Sequence, residues 1–231
     1  MEPQPTPTLV QTGPEWYEAG LTYRYQMPDG PGPYPTVVML HGRFGNEDVM
    51  WVFRKVIPRP WLVVAPRALF ADQGSFSWQI LEREDKWPEL AEYDPAVTAL
   101  ERFIGVLPQL YNADPDRTYL MGFSQGAAVS FSAVLRRPRL ARGVAAMVGF
   151  VPDMPEGAID GRLAGLPVFM AAGTQDPTVP YRLSQVTRER LRAAGADLEY
   201  HEYPTGHKMP SAGMDDLRKW FHNQARFGNM G

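Results

Sequence analysis

Residues 122 to 126 read Gly-Phe-Ser-Gln-Gly, a serine with glycine two places to either side. A serine hydroxyl is a weak nucleophile until a base takes its proton, so a histidine has to stand within reach. The chain offers four: His41, His201, His207 and His222. His207, in the loop Pro-Thr-Gly-His-Lys-Met-Pro, is the expected base, because the loop after a last strand brings an imidazole to one edge of a sheet. His201 reads as a strand-face residue and His222 as a helix residue. An imidazole needs a carboxylate to fix its tautomer and stabilise its protonated form. Asp176, just past the apolar run Pro-Val-Phe-Met-Ala-Ala-Gly, is the expected acid, with Asp153 as the rival one strand earlier. The same five-residue pattern also occurs in ordinary glycine-rich turns, so the surrounding elements have to decide.

Those elements alternate. Short continuous apolar runs at 36–40, 61–65, 118–122, 143–150 and 167–173 suit strands buried on both faces of a parallel sheet. Between and after them, helical patterns cover 46–57, 94–111, 125–137, 180–195 and 211–227. In the second, Val97, Leu100, Ile104, Leu107 and Tyr111 recur at steps of three and four behind Asp94 and Pro95, an N-cap followed by proline at the first helical position. Residues 21–27 and 198–203 alternate as half-buried strands. Strands alternating with helices predict a mostly parallel central sheet with helices on both faces.

In that layout Ser124 falls where a strand ends and a helix begins. The pattern then becomes a nucleophile elbow, and the order Ser124, Asp176, His207 is that of the α/β-hydrolase fold. The helix beginning at Gln125 turns its unpaired N–H groups toward the site, so the Gln125 N–H is the expected first oxyanion donor. The loop Leu-His-Gly-Arg-Phe-Gly-Asn-Glu after the 36–40 strand supplies the second, through the N–H of Arg43 or, alternatively, Phe44.

Composition narrows the field. The 231 residues carry 23 Lys and Arg against 26 Asp and Glu, a formal net charge of −3 with no basic cluster, so nucleic acid is not an expected partner. Cysteine is absent, which removes a disulfide framework, a Cys-ligated zinc and a thiolate nucleophile, including a dienelactone-type cysteine. No His-Glu-x-x-His or comparable cluster points to a metal, and no cofactor is expected. The longest apolar stretch, about nine residues at 143–151, is short of the roughly 20 that span a bilayer. The proline-rich start has no apolar segment of a signal peptide, so a cytoplasmic location is the expectation. The chain is expected to hold a flexible arm at 1–14 and one domain at 15–231, with a long aromatic and charged loop at 67–93 near the site. A homodimer through exposed apolar residues is left open.

From about residue 20 to 227, the stretches LHGRFGNE, APRA with GSFSWQI, GFSQGAAVS, GFVP, GTQDPTVP and GHKMPSAGMDDLRKWF follow one another in an order that resembles the phospholipase/carboxylesterase family, which includes acyl-protein thioesterases. The resemblance implies a cofactor-free serine hydrolase of carboxylic esters or thioesters, with Ser124, Asp176 and His207 as triad and Arg43 and Gln125 at the oxyanion hole. Many relatives have glycine where Phe44 stands, which gives Phe44 an expected place in the wall of the acyl pocket. The family's Ser-Trp pair survives as Ser77 and Trp78, and Trp78 is expected to line the pocket. The polar stretch that follows does not read as a groove for a long lipid chain, which favours small-to-medium acyl esters. A thioesterase or lysophospholipase would use the same residues, and a noncatalytic binding module on the same fold is the reading furthest from these residues.

Overall fold

The computed structural model describes residues 6–80 and 86–227. Along the chain run β1 (Thr8–Val10), α1 (Pro14–Ala19), β2 (Tyr23–Gln26), β3 (Tyr34–Leu40), β4 (Leu62–Pro66), β5 (Phe70–Asp72), β6 (Ser75–Ser77), α2 (Asp94–Tyr111), β7 (Ala113–Phe123), α3 (Gln125–Arg136), β8 (Gly143–Met147), β9 (Pro167–Gly173), α4 (Tyr181–Ala193), β10 (Asp197–Tyr203) and α5 (Ser211–Phe227). Eight strands form one sheet in the order β1-β2-β4-β3-β7-β8-β9-β10, and β5 and β6 form a separate hairpin. From β4 to β10 every pairing is parallel, while β1 and β2 join antiparallel at one edge. This is the mostly parallel α/β-hydrolase architecture that the alternating elements predict.

The apolar runs are continuous because each strand feeds two cores. Val38 and Leu40 of β3, Leu120 of β7, Val144 and Ala146 of β8 and Val168 and Met170 of β9 pack on the side of α2 and α3. Their neighbours Val37, Met39, Tyr119, Met121, Ala145, Met147, Phe169 and Ala171 pack on the opposite side, against Met214, Leu217, Trp220 and Phe221 of α5. Period-two alternation across a doubly covered sheet leaves no polar face to interrupt the run.

Two expectations need correction. The segment expected as a helix over 46–57 is a 3₁₀ helix at Val49–Val56. Its buried apolar residues Met50, Phe53 and Val56 recur every third position, which suits three residues per turn rather than 3.6. The expected arm at 1–14 is in part a strand: Thr8, Leu9 and Val10 pair with Tyr25, Arg24 and Tyr23, and Val10 is buried in the core. Residues 1–5 of that arm lie outside the described residues. Within the expected loop at 67–93 the described residues include β5, β6 and a short 3₁₀ turn at Leu90–Tyr93, and 81–85 lie outside them. Among the described residues no helix is long and apolar enough to cross a membrane.

Candidate active site

The chain leaves β3 for β4 on one side and later returns to β7 on the other. The carboxyl ends of β3 and β7 therefore border the crevice where open α/β sheets bind ligands. Leu40 pairs with Gly122 there, and the chain turns at once from β7 into α3. Ser124 occupies that turn with φ 53° and ψ −117°, a left-handed backbone held by its N–H bond to Met147 O at 2.9 Å. Space dictates the flanking glycines. A Cβ on Gly122 would stand 2.3 Å from the Gly126 carbonyl carbon, and one on Gly126 would stand 2.0 Å from Leu40 O. Only bare backbone lets strand, turn and helix cross this closely.

The first helical bonds run from Ala127 N and Ala128 N back to Ser124 O. The Gln125 N–H thus opens the first turn of α3, where N–H groups have no intrahelical acceptor. The Gln125 side chain is buried and points elsewhere: its Oε1 accepts from Ser77 Oγ at 3.1 Å and from Trp78 N at 2.9 Å. That amide fastens the hairpin segment to the base of the elbow.

The loop after β3 lies against the same turn, since a Cβ on Gly42 would meet Ser124 Cβ and Phe123 O at 3.3 Å. A bond from Gly45 N to Gly42 O closes the loop at 3.1 Å, and Phe44 takes a φ of 62° within it. Left-handed backbone at this position is what glycine adopts without cost, so Phe44 holds a conformation that favours glycine. Arg43 donates to Asp72 at 2.7 Å and stacks its guanidinium 4.4 Å from the Phe44 ring centroid. Beneath, Arg67 bonds Glu47 through two N–H groups and holds that carboxyl below the usual carboxylate range.

His41, at the start of this loop, is fully buried. Its Nδ1–H donates to Gly42 O at 2.7 Å and its Nε2 accepts from Ala68 N at 3.0 Å. Both ring nitrogens are therefore spent in the neutral state, and burial pushes the imidazole down to about 4.

Beyond β9, Asp176 and His207 meet. Asp176 Oδ2 lies 2.7 Å from His207 Nδ1, and its Oδ1 accepts from the N–H groups of Thr178 and Val179 at 2.8 and 2.9 Å. These donors hold the buried carboxylate in a fixed orientation. His207 Nδ1–H donating to the carboxylate leaves Nε2 as the acceptor. The imidazole also packs edge-on against Phe123, the residue before Ser124, at 5.2 Å between ring centroids. Ser124, the loop after β3 and the Asp176–His207 pair thus gather at one edge of the sheet.

The other expected residues divide. Asp153 is an exposed ion-pair partner of Arg190 at 3.0 Å. His201 bonds Glu199 at 2.8 Å on β10, and His222 bonds Arg218 O at 2.8 Å on α5. Trp78 needs correction as a pocket wall. It is fully buried, with its indole N–H donating to His41 O at 2.7 Å, so it braces the loop from below. Among the described residues no group of three or more His, Cys, Asp or Glu is arranged as a metal site.

Two cavities flank the turn. One of about 300 Å³ is lined by Ser124, Gln125 and Arg43, and by Gln79, Trp87, Tyr93 and Phe150, none of which the sequence reading singled out. The aromatic content of 67–93 was the signal for Trp87 and Tyr93, while Gln79 and Phe150 lay unremarked within the stretches GSFSWQI and GFVP. A larger cavity of about 650 Å³ is lined by Arg43 and Phe44 together with Val52, Phe53, Phe123 and Met209.

The family described as phospholipase/carboxylesterase matches this chain over residues 32–224. Acyl-protein thioesterase 1 of Cryptococcus neoformans is 29% identical over 218 residues, covering 83% of this chain and 85% of that protein. A carboxylesterase of Arabidopsis thaliana, SOBER1, is 26% identical over 121 residues, which is 49% of this chain and 51%, about half, of that protein's length. In three dimensions the chain is similar to a Bacillus cereus carboxylesterase, with a TM-score of 0.81 at 21% identity, covering 90% of this chain and 97% of that one.

Proposed function

This chain belongs to the phospholipase/carboxylesterase family of hydrolases, and from that premise we propose that it is a serine esterase cleaving carboxylic esters of small-to-medium acyl chains through an acyl-enzyme on Ser124. The observation that carries the reading is the left-handed serine at the β7–α3 turn, on the same sheet edge as a histidine whose Nδ1 is held at 2.7 Å by a buried aspartate.

His207 Nε2 takes the Ser124 proton as Oγ attacks the ester carbonyl. The negative charge moves to the carbonyl oxygen, where the N–H groups of Gln125 and Arg43 receive it; each preorganised donor of this kind lowers the barrier by about 2.7 to 4 kcal/mol. His207 returns the proton to the departing alcohol oxygen, and the C–O bond breaks. Water then enters by the same route in reverse, giving the acid and free Ser124. Asp176 stays ionised throughout and steadies the imidazolium. The same steps cleave a thioester, and the similarity to an acyl-protein thioesterase favours that as the second reading.

The test is early-time release of p-nitrophenol from p-nitrophenyl esters by wild type and Ser124→Ala. We expect a burst stoichiometric with enzyme, lost in the variant, and steady turnover reduced at least about a thousandfold with the thermal midpoint retained. Turnover of Ser124→Ala within about tenfold of wild type would overturn the assignment of the nucleophile.

A further inference from the structure

The smaller cavity, beside Ser124, has an apolar rim and an unfinished floor. Trp87 and Phe150 meet edge-on at 5.0 Å between centroids, and Val179 adds aliphatic surface. Below them lie Tyr93, 0% exposed, and Gln79, 2% exposed. Neither Tyr93 Oη nor Gln79 Oε1 has a hydrogen-bond partner among the described residues. A buried polar atom left unpaired costs about 1 to 3 kcal/mol, so two on residues that line one cavity beside a nucleophile call for a partner that arrives with the ligand.

The chemistry of the two atoms selects that partner. Burial, reinforced by Glu92, pushes the Tyr93 phenol far above its ordinary range, so it stays protonated and donates. Gln79 Oε1 accepts. A hydroxyl is the smallest group that accepts from one and donates to the other. A carboxylate would be drawn by Lys86 on the same wall, but it has no hydrogen to give Gln79 Oε1. Arg43, the other cation lining the cavity, is already paired with Asp72. An alkyl chain would leave both polar atoms unpaired.

Resting on the serine-esterase reading above, we propose that the acyl half of the substrate carries a hydroxyl remote from the ester carbonyl, bound between Tyr93 Oη–H and Gln79 Oε1 in the cavity beside Ser124. Trp87 and Phe150 cover the carbon skeleton between the two ends. The pair of polar atoms then acts on specificity, since a site built to hydrogen-bond a hydroxyl discriminates against the analogue that lacks it.

The test compares matched methyl esters: 3-(4-hydroxyphenyl)propanoate against 3-phenylpropanoate, and 6-hydroxyhexanoate against hexanoate. Wild type should prefer the hydroxylated member of at least one pair by about tenfold or more in kcat/KM. Tyr93→Phe should bring that preference close to parity by lowering kcat/KM for the hydroxylated ester, and Gln79→Met should do the same. Because Tyr93→Phe removes an unpartnered hydroxyl, its thermal midpoint without substrate should be unchanged or higher. Parity in both wild-type pairs, a preference that survives Tyr93→Phe, or a lowered midpoint for that variant would overturn the inference. Parity accompanied by a Ser124-dependent burst leaves the esterase reading standing. Failure to cleave any ester removes both.

Discussion

Two imidazoles a few ångströms from the same elbow are put to opposite uses by what surrounds them. His207 keeps one nitrogen on a carboxylate and the other free, whereas His41 has both nitrogens bonded and no contact with solvent. The His41 ring links the Gly42 carbonyl to the Ala68 N–H, and its own carbonyl takes the Trp78 indole, so protonation would break the loop after β3 from the Ala68 N–H. Its folded value of about 4 lies below the roughly 6.5 of a free imidazole. As pH falls through that interval the unfolded chain binds a proton that the folded chain refuses, so stability present above about pH 6.5 is lost toward pH 4. The loss from this one residue is about 3 kcal/mol. Urea unfolding of wild type and His41→Gln between about pH 7 and pH 4 measures it. The variant should be the less stable protein at neutral pH but have the flatter dependence, by about that amount. Glu47 and Asp216, whose carboxyls are also held low by bonded cations, lose their contribution at more acid pH and do so in both proteins. Parallel pH profiles for the two proteins would refute the role given to His41.

At the scale of elements, the turn between β7 and α3 depends on two positions where backbone passes backbone. Gly126→Ala sets a methyl 2.0 Å from Leu40 O and 2.7 Å from His41 O, neither of which can rotate away. We expect a loss of at least about 3 kcal/mol, by overpacking against fixed backbone, and a fall in kcat as Ser124 moves. Gly105→Ala, on the exposed face of α2 where a methyl meets nothing within 4 Å, should instead stabilise by about 0.5 to 1 kcal/mol. Denaturant midpoints for the two variants, measured side by side, decide whether clash or helix propensity governs each glycine. The elbow could be read from the sequence because its two glycines sit at fixed places around the serine, although the backbone that excludes a side chain at Gly126 belongs to Leu40 and His41, far off in sequence. Helix α2 was legible for a like reason, since Pro95 and the three-and-four spacing mark its start and its face, although Tyr93 is the N-cap and Asp94, expected there, is already the first helical residue and makes no side-chain cap. Strand β1 was not, because its three residues gain stability only from pairing with β2. Trp78 was read as a wall because an aromatic beside a site ordinarily is one, and the His41 carbonyl that claims its N–H lies 37 positions away in sequence. Tyr93 and Gln79 were missed because they come from an aperiodic segment, whose spacing says nothing about which side chains face inward.

The whole molecule sets two unequal spaces beside the β7–α3 turn, the smaller with Ser124 in its wall and the larger with the preceding Phe123. The smaller contains Ser124 and Gln125 in its wall, so on the proposed serine-esterase reading it would receive the part of the substrate that stays bonded to the serine. The larger is walled by Lys208 and Met209, which follow His207 directly, and by Phe123, whose ring touches the imidazole. On the same reading the alcohol would leave from the side on which His207 hands it a proton, which would put its chain in the larger space. That space is apolar, and Phe44 and Val52 on its rim are 47% and 61% exposed, surface that a chain would take from water. Kinetics should therefore respond differently to the two halves of an ester. With the acyl group fixed, each methylene added to the alcohol should raise kcat/KM by about two- to fourfold until the groove is filled, following the roughly 0.8 kcal/mol gained per buried methylene. With a methyl alcohol fixed, lengthening an unsubstituted acyl chain should bring an early maximum and then a decline, because about 300 Å³ is enclosed by Trp87, Phe150 and the elbow itself. Met209→Asp should flatten the alcohol series and leave the acyl series as it was. If Met209→Asp flattened the acyl series instead, the long space would hold the acyl chain, and the direction of attack across Ser124 would be reversed.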